Sequence, residues 1–353
     1  MRHAPHPPFF RPVATALSLW LASTAGTAAR ADAIVAADAR PARVTVFWEN
    51  DGGYYKPNHG TDRHYTNGTG IAVSLQPRWV DDLAAGLGLP ADGTAAGLAL
   101  TQQIFTPDDI EERVPDPDDR PYAGYLFVSG FLQRQTGNHL DHLRLDLGVV
   151  GPSSLAEPIQ EWVHDFTNAD DPTGWDAQLG DEFAAQLTYR RRYRYDLPDL
   201  TLFNRNLASQ LIPYGELRLG SVYRSVGLGL GARIGVNLPD DFGPSHLTDL
   251  GAFTAPPDPD APRWSGYLYG RALGRYHEWN TFIEGSNRRD PSPSVSLVPF
   301  TGEVQAGLAI ARRLGDTGRF EFNYSQVFMT ESFREQDAAD SYASFALTLR
   351  FTF

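Results

Sequence analysis

The feature that most constrains this chain is a two-residue alternation of apolar and polar side chains that recurs along most of its length. At the C-terminus Ala343, Phe345, Leu347, Leu349, Phe351 and Phe353 share one parity, and Ser344, Ala346, Thr348, Arg350 and Thr352 share the other. Val44, Val46 and Trp48 oppose Thr45, Phe47 and Glu49. Leu143, Leu145, Leu147 and Val149 oppose Arg144, Asp146 and Gly148. Val226, Leu228, Leu230, Ala232 and Ile234 oppose Gly227, Gly229, Gly231 and Arg233. Successive side chains point to opposite sides only in extended backbone, so these segments predict strands with one apolar face and one polar or glycine-rich face. Such strands are expected near residues 46, 70, 101, 128, 145, 188, 216, 230, 271, 305, 324 and 347.

Two architectures use that pattern. A soluble sandwich buries apolar faces against each other. A membrane barrel turns them to lipid and keeps the polar faces around its lumen. Strands of about 10 residues or more suit a tilted membrane span. Tyr193, Tyr195, Tyr223 and Tyr276 stand at strand ends, where interfacial aromatic girdles form. The expected fold is therefore all-β, a transmembrane antiparallel β-barrel of about twelve strands, both termini on the periplasmic side. Composition removes other classes. No apolar run after the N-terminus approaches the roughly 20 residues of a spanning helix. The 33 Gly and 26 Pro exclude a long coiled coil, and 20 Phe, 15 Tyr and 7 Trp oppose disorder. A net charge of −13 leaves no basic face for nucleic acid. With no Cys there is no disulfide, thiolate metal site or thiol nucleophile.

Arg2, His3 and Arg11 precede an apolar stretch with Leu17, Leu19, Trp20 and Leu21, and small residues follow up to Ala31-Asp32-Ala33. That order predicts a secretory signal over residues 1–33, with the barrel domain occupying 34–353. The Pro/Asp-rich breaks at 116–119, 239–241 and 256–262 should face water. One insert differs. Residues 153–167, SSLAEPIQEWVHDFT, predict a short helix with Ser153 or Ser154 as N-cap and Ile159, Trp162, Val163 and Phe166 on its apolar face.

Several polar residues do not suit a plain barrel. The first strand ends in FWENDGG, and TDRHYTNG enters the second, so Asn50 and Asp51 would lie beside Thr66 across a hairpin at one rim. The same residues also make an ordinary turn, with Asp62 as its cap. His164 sits on the expected helix; a histidine, with an unperturbed pKa of about 6.5, can act as general base, or can simply be a surface residue of an insert. An acidic loop, NADDPTGWDAQ, follows it. Asp51 with Asp170 or Asp171 could hold a hard cation through oxygen ligands, or the loop could be no more than exposed.

The blocks FWENDGG (47–53), TDRHYTNG (61–68), QQIFTPDDI (102–110), DRPYAGYLF (119–127), LDLGVVGPSS (145–154), QEWVH (160–164) and GWDAQLGDE (174–182) stand in an order that carries a resemblance. With the aromatic last strand, the chain resembles the outer-membrane lipid A 3'-O-deacylase family. The blocks crowd the first half; residues 200–340 match only as strands. The resemblance implies a twelve-stranded barrel in the outer membrane of a Gram-negative bacterium. It implies calcium-dependent hydrolysis of the 3'-linked acyloxyacyl ester of lipid A, within lipopolysaccharide, by a protein surrounded by outer-membrane lipids and expected to be monomeric. By position, His164 would activate water, Asn50, Asp51 and Thr66 would complete the active site, and Asp51 would help hold calcium. Asp170 stands where the family has a glutamate, one methylene longer. Arg113 lies in the loop where the family can carry a lysine, and is a candidate contact for a lipid phosphate. Gly52 replaces a further acid of some members.

The chemistry suits these residues: ester hydrolysis needs an activated nucleophile and stabilisation of an oxyanion, which a calcium ion can supply as Lewis acid. No G-x-S-x-G elbow is present. Two alternatives remain at this stage. An outer-membrane phospholipase would need a serine paired with a strand histidine. A porin or adhesin barrel would leave Asn50, Asp51, Thr66 and His164 unexplained.

Overall fold

A strand with one apolar and one polar face can satisfy both faces and its backbone at once if the sheet closes on itself in lipid. The computed structural model, which describes residues 41–52, 62–202, 205–249, 262–289, 291–315 and 318–352, shows that closure. The expected signal segment, Phe353 and most of the 256–262 break lie outside the described residues. The strands are β1 (Pro41–Asn50), β2 (His64–Leu75), β3 (Gly93–Thr106), β4 (Ala123–Thr136), β5 (His139–Val150), β6 (Glu182–Tyr193) and β7 (Tyr195–Leu202). They continue with β8 (Arg205–Gly220), β9 (Tyr223–Val236), β10 (Trp264–Asn280), β11 (Phe300–Leu314), β12 (Gly318–Met329) and β13 (Asp340–Thr352).

Apart from β6 and β7, which do not pair with each other, each strand pairs antiparallel with its sequence neighbours, and the β1–β13 and β6–β8 pairings close the ring. β1 meets β13 from Pro41 opposite Thr352 to Asn50 opposite Ala343. β6 meets β8 from Gln186 opposite Gly220 to Arg192 opposite Tyr214, and β7 takes up the same edge of β8 from Tyr195 opposite Leu211. β6 and β7 are thus one stave interrupted at Arg194, and the barrel is a closed ring of twelve. All twelve expected strand centres fall within strands.

The parity of the sequence becomes the two sides of the wall. Leu228 and Leu268 are 75% and 62% exposed on the lipid side, while Phe47, Thr45 and Glu49 are buried inside. Inward side chains fill the lumen with polar pairs: Thr45 Oγ1 meets Thr348 Oγ1 at 3.0 Å, and Glu216 takes Arg190, Arg218 and Arg275. The inward glycines make room for large neighbours: a Cβ on Gly229 would stand 2.2 Å from the Tyr214 ring. Of the expected girdle, Tyr195 and Tyr276 are exposed, but Tyr223 is of opposite parity to Val226 and turns into the lumen, under Arg218.

Three features differ from the sequence reading. Asp240 meets water as expected, but the chain after it turns into the lumen, where Ser245, His246, Leu247 and Asp249 are buried. The Arg144 guanidinium donates to the Leu247 carbonyl at 3.3 Å, and Arg190, Arg192 and Arg271 converge on the Asp249 carboxylate. The segment is a plug, because the interior cluster of Arg190, Arg192 and Arg271 needs a further carboxylate brought to it. Above the plug a cavity of about 170 Å³ opens at the rim, lined by Arg120, Arg218, His277 and Tyr342 among others. A helix not foreseen, α1 (Arg78–Gly86), follows β2 and is tied back by Thr94 Oγ1 donating to Asp81 at 2.6 Å.

The third difference is the insert. Its helix α2 spans Ala156–Thr167, starting later than expected, because a 3-10 turn at Pro152–Ser154 ends in Leu155 at φ 59°. Neither serine caps it. Ser153 instead bonds Asp181 through its backbone N–H and its hydroxyl, at 2.7 and 2.9 Å. Its polar face is the inward one: Ala156, Gln160 and His164 are buried, and Ile159, Trp162, Val163 and Phe166 of the apolar face are exposed.

A cation on the lipid face tests the wall's orientation. Leu230→Arg, near the middle of β9, should cost about 2–4 kcal/mol in urea unfolding from lipid vesicles. Leu230→Ala should cost far less; equal losses would contradict the assigned lipid face.

Candidate active site

The site begins as an anomaly on the outer wall. Along β3, Leu98 and Leu100 are exposed to lipid, yet Gln102, Ile104 and Thr106, on the same parity, are buried. On β2 a bulge between Tyr65 and Asn67 leaves Thr66 buried as well. The cover is the 151–181 insert. Gln102 Nε2 donates to the Ser154 carbonyl at 2.7 Å, and Ile104 packs with Ile110, Tyr122, Ala156 and Trp175. Gly124 permits this approach, since a Cβ there would sit 1.9 Å from Ser154 Oγ and 2.3 Å from Ala156 Cβ.

Polar contacts then join hairpin to helix through Asp62. Its backbone is left-handed, φ 62°, which Asp tolerates better than most residues. Gln160 Nε2 donates to Asp62 Oδ1 at 3.3 Å, and His164 Nε2 lies 3.4 Å from Asp62 Oδ2. Gln160 is itself fixed by Trp175 Nε1, which donates to its Oε1 at 2.9 Å. His164 Nδ1 bonds the Asp170 carbonyl. A carbonyl only accepts, so Nδ1 carries the proton in the neutral ring and Nε2 keeps its lone pair toward Asp62. Thr106 Oγ1 donates to the Asp62 carbonyl at 2.7 Å; having spent its proton, it accepts from Thr66 Oγ1 at 2.8 Å.

Asn50 and Asp51 brace the same point. Asn50 Nδ2 and the Asp51 N–H both donate to the Thr66 carbonyl, each at 3.2 Å, and the Arg63 N–H donates to Asp51 Oδ2 at 2.7 Å. Asn50, Asp51, Thr66 and His164 are therefore linked in one network, with Asp62 and Gln160 at its centre. Sequence reasoning gave Asp62 no more than a capping role and missed Gln160. The signal was the spacing: Gln160 and His164 are four apart and share a helix face.

The remaining residues fall outside this network or touch it through backbone. Asp170 contributes its carbonyl, while its side chain and that of Asp171 are exposed. Arg113 is 82% exposed, 3.8 Å from an equally exposed Asp176. His64 is a clasp between loops: its Nδ1 meets Asp340 at 2.9 Å and its Nε2 meets Asp119 at 3.3 Å. Burial opposes the charge on Asp119, but hydrogen bonds from His64 and the Asp108 N–H prevail and hold its carboxyl below the usual range. Arg120 next to it is drawn down to about 10 by burial and stays cationic at neutral pH. For a metal, the buried Asp51 carboxylate and the oxygens of Asn50, Asp62 and Thr66 are hard donors of the type calcium takes. Among the described residues no three His, Asp or Glu side chains converge on one point.

A sequence model of the outer membrane protein LpxR family matches residues 15–351. The chain belongs to the LpxR family. This is the family that the seven sequence blocks resemble, and its members are outer-membrane proteins, so the closed barrel resides in the outer membrane. Among solved structures, LpxR from Salmonella typhimurium superposes with a TM-score of 0.65 at 16% identity, covering 88% of this chain and all of that one. The beta domain of the Bordetella autotransporter BrkA matches at TM-score 0.41 and 14% identity over 90% of this chain and 100% of its own. No curated protein sequence matches the chain. The similarity to LpxR supports the barrel fold.

Gly124→Val should push the LpxR-family insert off the wall without opening the strand ladder. Limited proteolysis should then cleave residues 151–181 much faster than in the parent, with the strands still protected. Cleavage at the parental rate would contradict the packing of α2 on β4.

Proposed function

We propose that this barrel is a lipid A 3'-O-deacylase, hydrolysing the 3'-linked acyloxyacyl ester with a water activated by His164. One observation carries the reading: a buried polar network on the lipid side of the wall, covered by a helix that presents a histidine to it. A soluble substrate has no reason to be met there. A lipid whose acyl chains lie in the leaflet beside that wall does.

The hydrogen bonds support the following steps. The Asp170 carbonyl holds Nδ1–H, which leaves Nε2 as the basic atom. Nε2 takes a proton from water as the water oxygen attacks the ester carbonyl carbon. The resulting imidazolium has the Asp62 carboxylate as its counter-charge. The tetrahedral species collapses, the 3'-oxygen leaves and takes the proton from Nε2, and the products are the acyloxyacyl acid and a 3'-hydroxyl sugar. The Thr66 hydroxyl, which gives its proton to Thr106, would accept a hydrogen bond from the water, and Asn50 fixes the Thr66 backbone. Calcium held by Asp51, with neutral oxygens around it, would supply positive charge to polarise the ester carbonyl. Arg113, exposed on the 107–122 loop, would meet a lipid phosphate. The plugged lumen disfavours the porin alternative, because an open channel needs a water-filled interior.

The test is the purified barrel incubated with lipid A in calcium and then in chelator, read by mass spectrometry. The expected product has lost one 3'-acyloxyacyl unit, in calcium only. Release of lysophospholipid from added phospholipid would instead favour a phospholipase, and no product a non-enzymatic barrel. His164→Ala should keep the barrel folded and lower the rate at least ~100-fold. Asp51→Ala should remove activity and its response to calcium together. A near-parental rate in His164→Ala would overturn the mechanism.

A further inference from the structure

We infer that α2 is embedded in the outer leaflet, with its exposed apolar face seated in the acyl chains rather than in water. The helix is divided into three arcs. Ala156, Gln160 and His164 face the wall and are buried. Leu155, Ile159, Trp162 and Phe166 follow at helical spacing on a second arc and are 53%, 40%, 66% and 61% exposed. Glu161 and Asp165 occupy a third arc, also exposed.

A helix lying on a protein in water needs only two arcs, apolar inward and polar outward. Here the inward arc is polar and hydrogen-bonded, and the apolar arc stays exposed among the described residues. Among the described residues the Trp162 and Phe166 rings stack on each other, 6.1 Å apart. Three arcs suit a helix at a boundary, with protein on one side, hydrocarbon on the second and water with charged headgroups on the third. Trp162 stands where the apolar arc borders the charged one, and tryptophan is enriched at such membrane–water interfaces.

The choice of occupant rests on continuity with the lipid-facing wall. The insert leaves β5 after the exposed Leu145 and Leu147 and returns into β6 at Phe183, which is 55% exposed on the same outer surface. On β3, Leu98 and Leu100 stand directly before Gln102, the residue bonded to the insert. The apolar arc thus extends a belt that the barrel already presents to lipid. A helix so seated would be held by the leaflet on one side and by Asp62 and Gln102 on the other. The gap between them would open sideways into the membrane. The inference depends on the outer-membrane placement of the barrel and not on the hydrolysis proposed for it.

The chain has no cysteine, so single labels can be placed without background. Nitroxides at Trp162→Cys, Phe166→Cys, Glu161→Cys, Leu145→Cys and Asp116→Cys, in the full chain reconstituted in phosphatidylcholine vesicles, are read by electron paramagnetic resonance. Collision with oxygen reports hydrocarbon, and collision with a water-soluble nickel chelate reports water. Positions 162 and 166 should match Leu145, with oxygen strongly favoured over nickel; position 161 should favour nickel, as Asp116 does. The inference is overturned if 162 and 166 behave like Asp116. It is equally overturned if both are shielded from both reagents, which would indicate a second copy of the chain on that face. Neither result requires the protein to hydrolyse anything.

Discussion

The structure depends on how a polar patch survives on the lipid side of a membrane wall. Gln102 and Thr106 occupy positions where the alternation of β3 would put apolar groups against hydrocarbon, and the bulge in β2 brings Thr66 beside Thr106. In lipid a polar group without a partner is costly, since no water is there to replace it. The 151–181 insert supplies those partners: the Ser154 carbonyl for Gln102, and through Asp62 the Gln160 amide and the His164 ring. Covering the patch and building the site are one event. That is why the buried face of α2 is its polar one, and why small residues stand where helix and wall touch.

The interior solves a different problem with the same rule. Arg190, Arg192 and Arg271 project into a lumen too narrow to hydrate them well, and the chain after β9 returns to bring them Asp249. Three cations on one carboxylate, with Glu216 and Glu303 shared among Arg190, Arg218, Arg271 and Arg275, tie these interior side chains into one paired network. The rigidity of the lumen and the covering of the outer wall fall on opposite sides of the same strands. The wall between them is a stable floor for a site that must hold its geometry beside a fluid leaflet.

The barrel was legible because its signal is redundant. Period two, repeated over twelve segments, locates the strands and their lipid face with no long-range information, and even Tyr223 could have been assigned to the lumen from its parity with Val226. The hairpin pair Asn50–Asp51 beside Thr66 was legible because one register decides it. Three things were not. The direction in which α2 faces stays undecided in the sequence, because an amphipathic pattern reads alike whether its apolar side meets protein or lipid. Asp62 and Gln160 were missed because their roles exist only across contacts 98 residues apart in sequence. The plug was missed because nothing local distinguishes a loop that meets water from one that turns back to meet arginines.

The account's central claim is that the insert fixes one tautomer of His164 so that Nε2, facing Asp62, is the atom that accepts the proton. Nitrogen-15 magnetic resonance of the protein labelled at histidine, with His164 assigned by its absence in His164→Ala, measures this directly. The account predicts that the neutral ring carries its proton on Nδ1, bound to the Asp170 carbonyl, and that Nε2 shows the shift of a bare imidazole nitrogen. A neutral ring protonated on Nε2 would contradict it, because the lone pair would then point away from Asp62 and Thr66.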